Sequence, residues 1–200
     1  MLANTHITLS AISMLKSCAV TRTVPMLDAL ISTISPTAIA TIANDGVMFR
    51  PHIVSYLEDN RTLERSAIEP NPLRTLDVKK QHLEVIQQAL IGVNKEGTSA
   101  RSFIGAGYVS AGKTGTAQVI ALKQGEKYVE SKVHEYHRDH ALFIAYAPAD
   151  DPKIALAVIV ENAGFGARHA APIARKVLDY YLLGKLPPPE RRKDKDASGA

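Results

Sequence analysis

The chain has 200 residues, 46% of them hydrophobic and 22% charged, with a formal net charge of +4. That length suits one domain with a real core, and the composition is that of an ordinary globular chain. There is no nucleic-acid footprint, because tryptophan is absent and no basic stretch is interleaved with aromatic residues. The small positive balance reads as a solvated surface rather than a funnel for an anionic substrate. Cys18 is the single cysteine, which rules out an internal disulfide and a cysteine-rich zinc site. No run of about 18 apolar residues encodes a membrane-spanning helix. No basic region followed by an apolar stretch and a cleavage site marks a signal peptide.

In chain order, residues 1–34 form an atypical segment rich in Thr, Ser, Ala and Leu, with a helical hint from Ile12 to Cys18. Ser35-Pro36 reads as the cap and first position of a helix. That helix passes Ile39 and Ile42 and stops at Asn44-Asp45-Gly46, a left-handed turn signal. Residues 48–57 alternate loosely and predict short extended pieces. Glu69-Pro70-Asn71-Pro72 predicts a loop, since each proline removes a donor and restricts its predecessor. Residues 77–94 predict an amphipathic helix, with Leu83, Ile86, Leu90 and Val93 on one side and Lys79, Lys80, Gln87 and Gln88 away from them.

Strands are predicted over residues 107–121, 141–147 and 154–161, the last two joined by a polar hairpin turn at 148–153. Residues 172–183 predict a closing helix with Ile173, Val177, Tyr180 and Tyr181 available to pack on the sheet. Residues 185–200, with Pro187-Pro188-Pro189 and mixed charge, read as a disordered tail. The expected fold is α+β: helices packed on an antiparallel sheet of three strands.

The first of these strands carries the most informative stretch. Residues 111–118 read Ala-Gly-Lys-Thr-Gly-Thr-Ala-Gln. A phosphate-binding loop needs a helix straight after its Lys-Thr pair, and Val119-Ile120-Ala121-Leu122 offers no helical pattern. What remains is a strand that can offer a cation and hydroxyl donors to a carboxylate on one face. Gly115 leaves its backbone bare enough for another chain to lie alongside.

Lys113-Thr114-Gly115 resembles the third signature of the penicillin-binding proteins and serine β-lactamases. The surroundings extend the resemblance over residues 36–184. Asn44-Asp45-Gly46-Val47 with Arg50-Pro51-His52, and Gly97-Thr98-Ser99 before the strand, are similar to the high-molecular-weight transpeptidases. Arg138-Asp139-His140-Ala141-Leu142-Phe143, Ala147-Pro148, Glu161-Asn162-Ala163-Gly164 and Ala170-Ala171-Pro172-Ile173 are similar to the penicillin-binding protein 2 branch. On this resemblance, residues 35–184 are the C-terminal portion of a D,D-transpeptidase domain that cross-links peptidoglycan stem peptides and is acylated by β-lactams. The three strands would be the third, fourth and fifth of a five-stranded sheet. The first two strands and the nucleophile-bearing helix would precede residue 1. A truncated or frame-disrupted coding sequence would account for the atypical start, and the sheet would then keep an uncovered apolar edge.

The resemblance also assigns roles. Lys113 supplies positive charge and supports the active site. Thr114 and Thr116 hold the terminal carboxylate of a D-Ala-D-Ala stem peptide or of a β-lactam. The backbone N–H of Thr116 is an oxyanion-hole donor, and Gly115 lets the substrate approach. The implied partners are the stem peptide, β-lactams and, in the parent protein, a membrane glycosyltransferase of the elongation machinery. The parent would be anchored in the inner membrane with this domain in the periplasm. No cofactor, metal or nucleic acid is implied.

The nucleophile is the missing element. Family enzymes activate a serine by a lysine one helical turn away. Ser13-Met14-Leu15-Lys16 has that spacing, but no Ser-x-Asn occurs anywhere in the chain and the distance to Lys113 is short for the family, so Ser13 is expected to be coincidental. Ser110-Ala111-Gly112-Lys113 overlaps the strand and is weaker still. His134, Glu135, His137, Asp139 and His140 invite a zinc reading, but the first two histidines are one residue short of the spacing zinc proteases use on a helix. A solvated connector is expected there. The remaining alternatives are a non-catalytic fragment that binds D-Ala-D-Ala peptides or penicillin, and a β-lactamase-like hydrolase.

Overall fold

The computed structural model describes residues 7–13, 26–52, 54–120, 128–129 and 133–185. The predicted tail from residue 186, Lys16, Cys18 and most of the charged insert after residue 120 lie outside these.

A four-stranded antiparallel sheet forms the centre. Its strands are β1 (Ile7–Ser13), β6 (Ala111–Ala117), β7 (His140–Ala147) and β8 (Ile154–Val160), in the order β1-β8-β7-β6. The hairpin between β7 and β8 forms as predicted, with Ala147 opposite Ile154. Every residue of β8 is buried. A strand that is apolar at every position needs cover on both faces, and helices supply it.

One face packs under α4 (Gly166–Leu183). Phe143, Leu156 and Val158 meet Ala170, Ala171, Ala174 and Leu178, and Phe103 stacks on Phe143 with ring centres 5.8 Å apart. The small alanines let the helix lie close to the sheet. The other face packs under α1 (Met26–Ala43), where Ile39 and Ala43 meet Ala111, Tyr146 and Ala155. Leu90 and Ile91 of α2 (Lys80–Lys95) join that cluster. A short α3 (Ala100–Phe103) follows α2. Among the described residues there are also two small two-stranded sheets: β2 (Val47–Phe49) with β5 (Pro72–Thr75), and β3 (Tyr56–Glu58) with β4 (Arg65–Ala67).

The α+β reading and its antiparallel sheet hold, and the sheet gains a strand. Ile7 to Ser13 lies along β8, from Ile7 opposite Val160 to Ser13 opposite Ile154. The edge of β8 that the sequence reading left bare is therefore paired. Of the helical hint from Ile12 to Cys18 only Ile12 and Ser13 are described, and they continue the strand period of Ile7, Thr8, Leu9, Ser10 and Ala11; the rest lies outside the described residues. An open edge of peptide groups on an apolar strand is a strong acceptor for such a segment.

Both proline-marked helix starts are corrected. Pro36 lies inside α1 and Pro172 inside α4. A proline within a helix forfeits one hydrogen bond. Pro36 is among the most deeply buried residues, so packing on the sheet offsets that loss. The helix end at Asn44-Asp45-Gly46 is as predicted: Asp45 and Gly46 take positive φ (51° and 87°), and Gly46 N–H closes on the Thr41 carbonyl at 2.8 Å. Two facing assignments change. Ile86 is exposed, while Gln87 turns inward and donates to the Ile42 carbonyl (2.8 Å) and Asp45 Oδ1 (3.1 Å). Tyr180 and Tyr181 are exposed, and Leu178 with the alanines does the packing expected of them.

Candidate functional site

The strand carrying Lys113-Thr114-Gly115-Thr116 is the sheet's outer strand. Among the described residues β6 pairs only with β7, so one of its edges carries no strand partner. Counting back, Gly107 and Gly112 have the spacing of a phosphate-binding loop ahead of Lys113-Thr114, but Ala111–Ala117 is extended at the very residues where such a loop needs its helix to begin. That chemistry is excluded by conformation alone.

Register separates the side chains. Thr114 lies opposite Phe143 and Thr116 opposite Ala141, residues of the core under α4. Lys113 lies opposite Ile144, which packs on the cluster around Ile39 and Tyr146. Lys113 thus projects from one face and the two threonines from the other, because strand side chains alternate. The expectation of a cation and hydroxyls gathered on one face is corrected. Lys113 Nζ is exposed and donates to the Thr114 carbonyl at 2.7 Å. Thr116 is exposed and Thr114 half-buried.

Three supports hold this strand. The first is a buried polar knot at the end of α2. Asn94 Nδ2 donates to Ser110 Oγ (2.9 Å), and Ser99 Oγ donates to Asn94 Oδ1 (2.6 Å) and the Val93 carbonyl (3.0 Å). All three side chains are buried, and buried polar groups need such partners. The knot fixes the Gly97-Thr98-Ser99 turn against β6, where Thr98 Oγ1 stands 3.0 Å from Thr114 Oγ1. The second support is close packing at Gly112, where a Cβ would fall 2.7 Å from Phe143 and 2.8 Å from the Ile144 carbonyl.

The third support is an ionic clamp on the loop leading into the strand. Arg175 Nε donates to Asp179 Oδ1 (2.7 Å), Tyr108 Oη donates to the same oxygen (2.9 Å), and the Arg175 guanidinium reaches the carbonyls of Ile104 (3.2 Å) and Gly105 (3.3 Å). Burial, and secondarily the Asp179 carboxylate, hold the Tyr108 phenol well above its usual range.

The remaining candidates separate. Ser13 ends a strand rather than lying in a helix, and Lys16 lies outside the described residues. Ser110 is buried as an acceptor for Asn94. His134 precedes and His137 ends a single 3-10 turn (Glu135–His137), with their ring centres 5.8 Å apart. His140 enters β7, where its Nδ1 accepts from the Asn162 N–H at 3.0 Å. Among the described residues no three His, Cys, Asp or Glu side chains are placed to hold a metal.

Sequence reasoning missed Thr98, the Asn94 knot and Gly166. Asn94 carried a usable signal: it continues the apolar side of α2, where a polar residue must find buried partners. Thr98 stood out only as part of the Gly97-Thr98-Ser99 stretch that resembles the transpeptidases, and Gly166 carried no signal beyond its place in a glycine-containing turn.

The family description "Penicillin binding protein transpeptidase domain" matches residues 33–179. The chain is 39% identical over 161 residues to a peptidoglycan D,D-transpeptidase MrdA of Haemophilus influenzae, covering 77% of this chain and 24% of that protein. Pseudomonas aeruginosa PBP2, solved in complex with WCK 5153, superimposes with a TM-score of 0.56 and 31% identity over 75% of this chain and 30% of that one. Penicillin-binding protein A from M. tuberculosis, solved as an imipenem acyl-enzyme complex, gives a TM-score of 0.59 and 31% identity over 84% of this chain and 32% of that one. The chain spans about a quarter of the length of the curated relatives it matches.

Proposed function

The chain belongs to the penicillin-binding protein transpeptidase family, and on that footing we propose that it is the C-terminal, substrate-gripping part of a peptidoglycan D,D-transpeptidase. The observation that carries the reading is the position of Lys113-Thr114-Gly115-Thr116 on a sheet edge with no strand partner among the described residues. An extended peptide ending in a carboxylate can lie along such an edge. Thr114 and Thr116 share a face and supply hydroxyl donors for that carboxylate, which is a pure acceptor when ionised. The Thr116 N–H serves as an oxyanion donor, and Lys113, on the opposite face, supplies positive charge to the catalytic groups. This division follows the opposed directions of the two side-chain types.

In the acyl-transfer reaction the serine oxygen attacks the penultimate D-Ala carbonyl, the tetrahedral oxyanion collapses, and terminal D-Ala leaves; an amine of a second stem peptide then takes the acyl group. The sequence holds no Ser-x-Asn, and its Ser13-to-Lys16 spacing begins on a strand. This chain by itself is therefore expected to bind without being acylated. Among the described residues no helix is long and apolar enough to cross a membrane. Inner-membrane anchoring, a periplasmic position and a glycosyltransferase partner belong to the proposal through the family alone.

The test is a titration of the chain, followed by amide NMR, with diacetyl-Lys-D-Ala-D-Ala and with its L-Ala-L-Ala counterpart. The D,D peptide is expected to shift amides of residues 113–116, and a Thr114→Val, Thr116→Val double variant is expected to lose the response. Equal shifts with both peptides, or none on this strand, would overturn the reading. Intact-mass measurement after incubation with benzylpenicillin is expected to show no covalent adduct.

A further inference from the structure

We infer that Thr98 is a positioning residue for the carboxylate-gripping strand: its hydroxyl donates to Thr114 Oγ1, which holds that oxygen in one rotamer and leaves its proton free for the ligand. The inference rests on the reading of β6 given above and deepens it.

The geometry begins with the 3.0 Å contact between Thr98 Oγ1 and Thr114 Oγ1. A threonine hydroxyl has one proton and two lone pairs, so the pair has two arrangements. If Thr114 donates to Thr98, the lone pairs of Thr114 face the ligand and repel a carboxylate. If Thr98 donates to Thr114, the Thr114 proton is free for the carboxylate. Only the second arrangement suits an anionic ligand, and hydrogen bonds in series polarise one another in the favourable sense.

The structure holds Thr98 where this requires. Gly97 N–H closes on the Gly92 carbonyl at 2.9 Å, and a Cβ on Gly97 would fall 2.7 Å from Val93 Cα, so the chain turns sharply at a position where only glycine fits. Ser99, on the other side of Thr98, is buried and tied to Asn94 and the Val93 carbonyl. Asn94 is tied in turn to Ser110, at the entrance to β6. Thr98 is thus an exposed side chain between two anchored neighbours, facing the one hydroxyl on β6 that it can reach. An exposed threonine with no other role would not need so firm a mounting.

The test uses the full chain with labelled threonine methyl groups. Three-bond couplings report the Thr114 χ1 rotamer in the parent chain, in Thr98→Val, which keeps shape and loses the hydroxyl, and in Thr98→Ser, which keeps the hydroxyl. One dominant Thr114 rotamer is expected in the parent and in Thr98→Ser, and averaging in Thr98→Val. Affinity for diacetyl-Lys-D-Ala-D-Ala is expected to fall about fivefold in Thr98→Val, the loss of roughly one net hydrogen bond, and to return in Thr98→Ser. Amide spectra outside residues 94–116 should coincide in all three, which separates positioning from misfolding. An unchanged Thr114 rotamer in Thr98→Val overturns the inference, as does equal affinity in parent and variant when the parent binds. If the rotamer responds but the parent chain ignores the peptide, the positioning stands and the carboxylate-binding reading of β6 fails.

Discussion

Gly166, the first residue of α4, stands directly on the backbone of Gly115 in the candidate binding strand. A Cβ placed on Gly166 would lie 2.4 Å from the Gly115 carbonyl oxygen and 2.2 Å from the Leu142 carbonyl oxygen. Both obstacles are backbone atoms of paired strands, so neither can swing aside. The closing helix therefore sets the position of the strand that carries the site. Gly166→Ala is expected to destabilise the chain by at least about 2 kcal/mol, read as a lower urea midpoint at unchanged slope. Amide exchange should quicken at residues 113–117 before it does in β8. A midpoint within experimental error of the parent would mean that α4 does not brace β6.

The buried knot around Asn94 makes a second prediction. Asn94→Ala removes the donor to Ser110 Oγ and the acceptor for Ser99 Oγ. Ser99 keeps the Val93 carbonyl, so the main penalty is one stranded buried hydroxyl and a small void. The expected loss is about 1–3 kcal/mol, measured by denaturant unfolding. Combining Asn94→Ala with Ser110→Ala should cost less than the sum of the two single changes, because the second removes the group that the first strands. Strict additivity would show the two side chains to be energetically independent.

Alkaline pH should weaken the fold through its buried phenols. Burial in the cluster with Ile39 and Ala111 pushes the Tyr146 phenol up to about 12, with a smaller contribution from the Asp45 carboxylate. The ordinary value is about 10. A folded-state value raised above the unfolded one means that the folded state holds its proton longer. The stability tied to that proton is fully present below about pH 10 and is lost as pH climbs toward about 12. Tyr108 acts in the same direction. Urea titrations between pH 8.5 and 11.5 should show a steady fall, shallower in Tyr146→Phe than in the parent. Parallel curves for the two proteins would remove Tyr146 from the explanation.

The clamp built by Arg175 predicts a local effect. Arg175 holds Asp179 and the carbonyls of the loop that leads into β6. Both charged side chains are mostly buried (16% and 22% exposed), so the pair is screened less than a surface ion pair. Arg175→Met keeps much of the packing and loses the donors. It should lower stability by about 1–2 kcal/mol and raise hydrogen exchange at residues 104–108 selectively. If exchange there matches the parent, the loop is held by apolar contacts alone.

Much of this molecule was legible in its sequence, and the legible parts share a cause. The β7–β8 hairpin declared itself through two short apolar runs around a polar turn. The turn at Asn44-Asp45-Gly46 declared itself through residues that tolerate positive φ. Lys113-Thr114-Gly115-Thr116 could be read as a strand because no helical period followed it. Each signal is local, contained within the residues that form the element.

What only the tertiary structure decided involves segments far apart in the chain. Ile7 to Ser13 became a strand because β8 offered an open edge on which a full ladder could form. Pro36 and Pro172 did not end helices, because packing of the whole helix on the sheet, with Pro36 itself buried, outweighed one forfeited hydrogen bond in each. Lys113 parted from Thr114 and Thr116 once pairing with β7 assigned each to a face. Thr98 met Thr114 because Asn94 and Ser110 closed the space between a helix end and a strand. Local sequence carries periodicity and turn chemistry, whereas the choice among competing conformations rests on which surfaces each one buries.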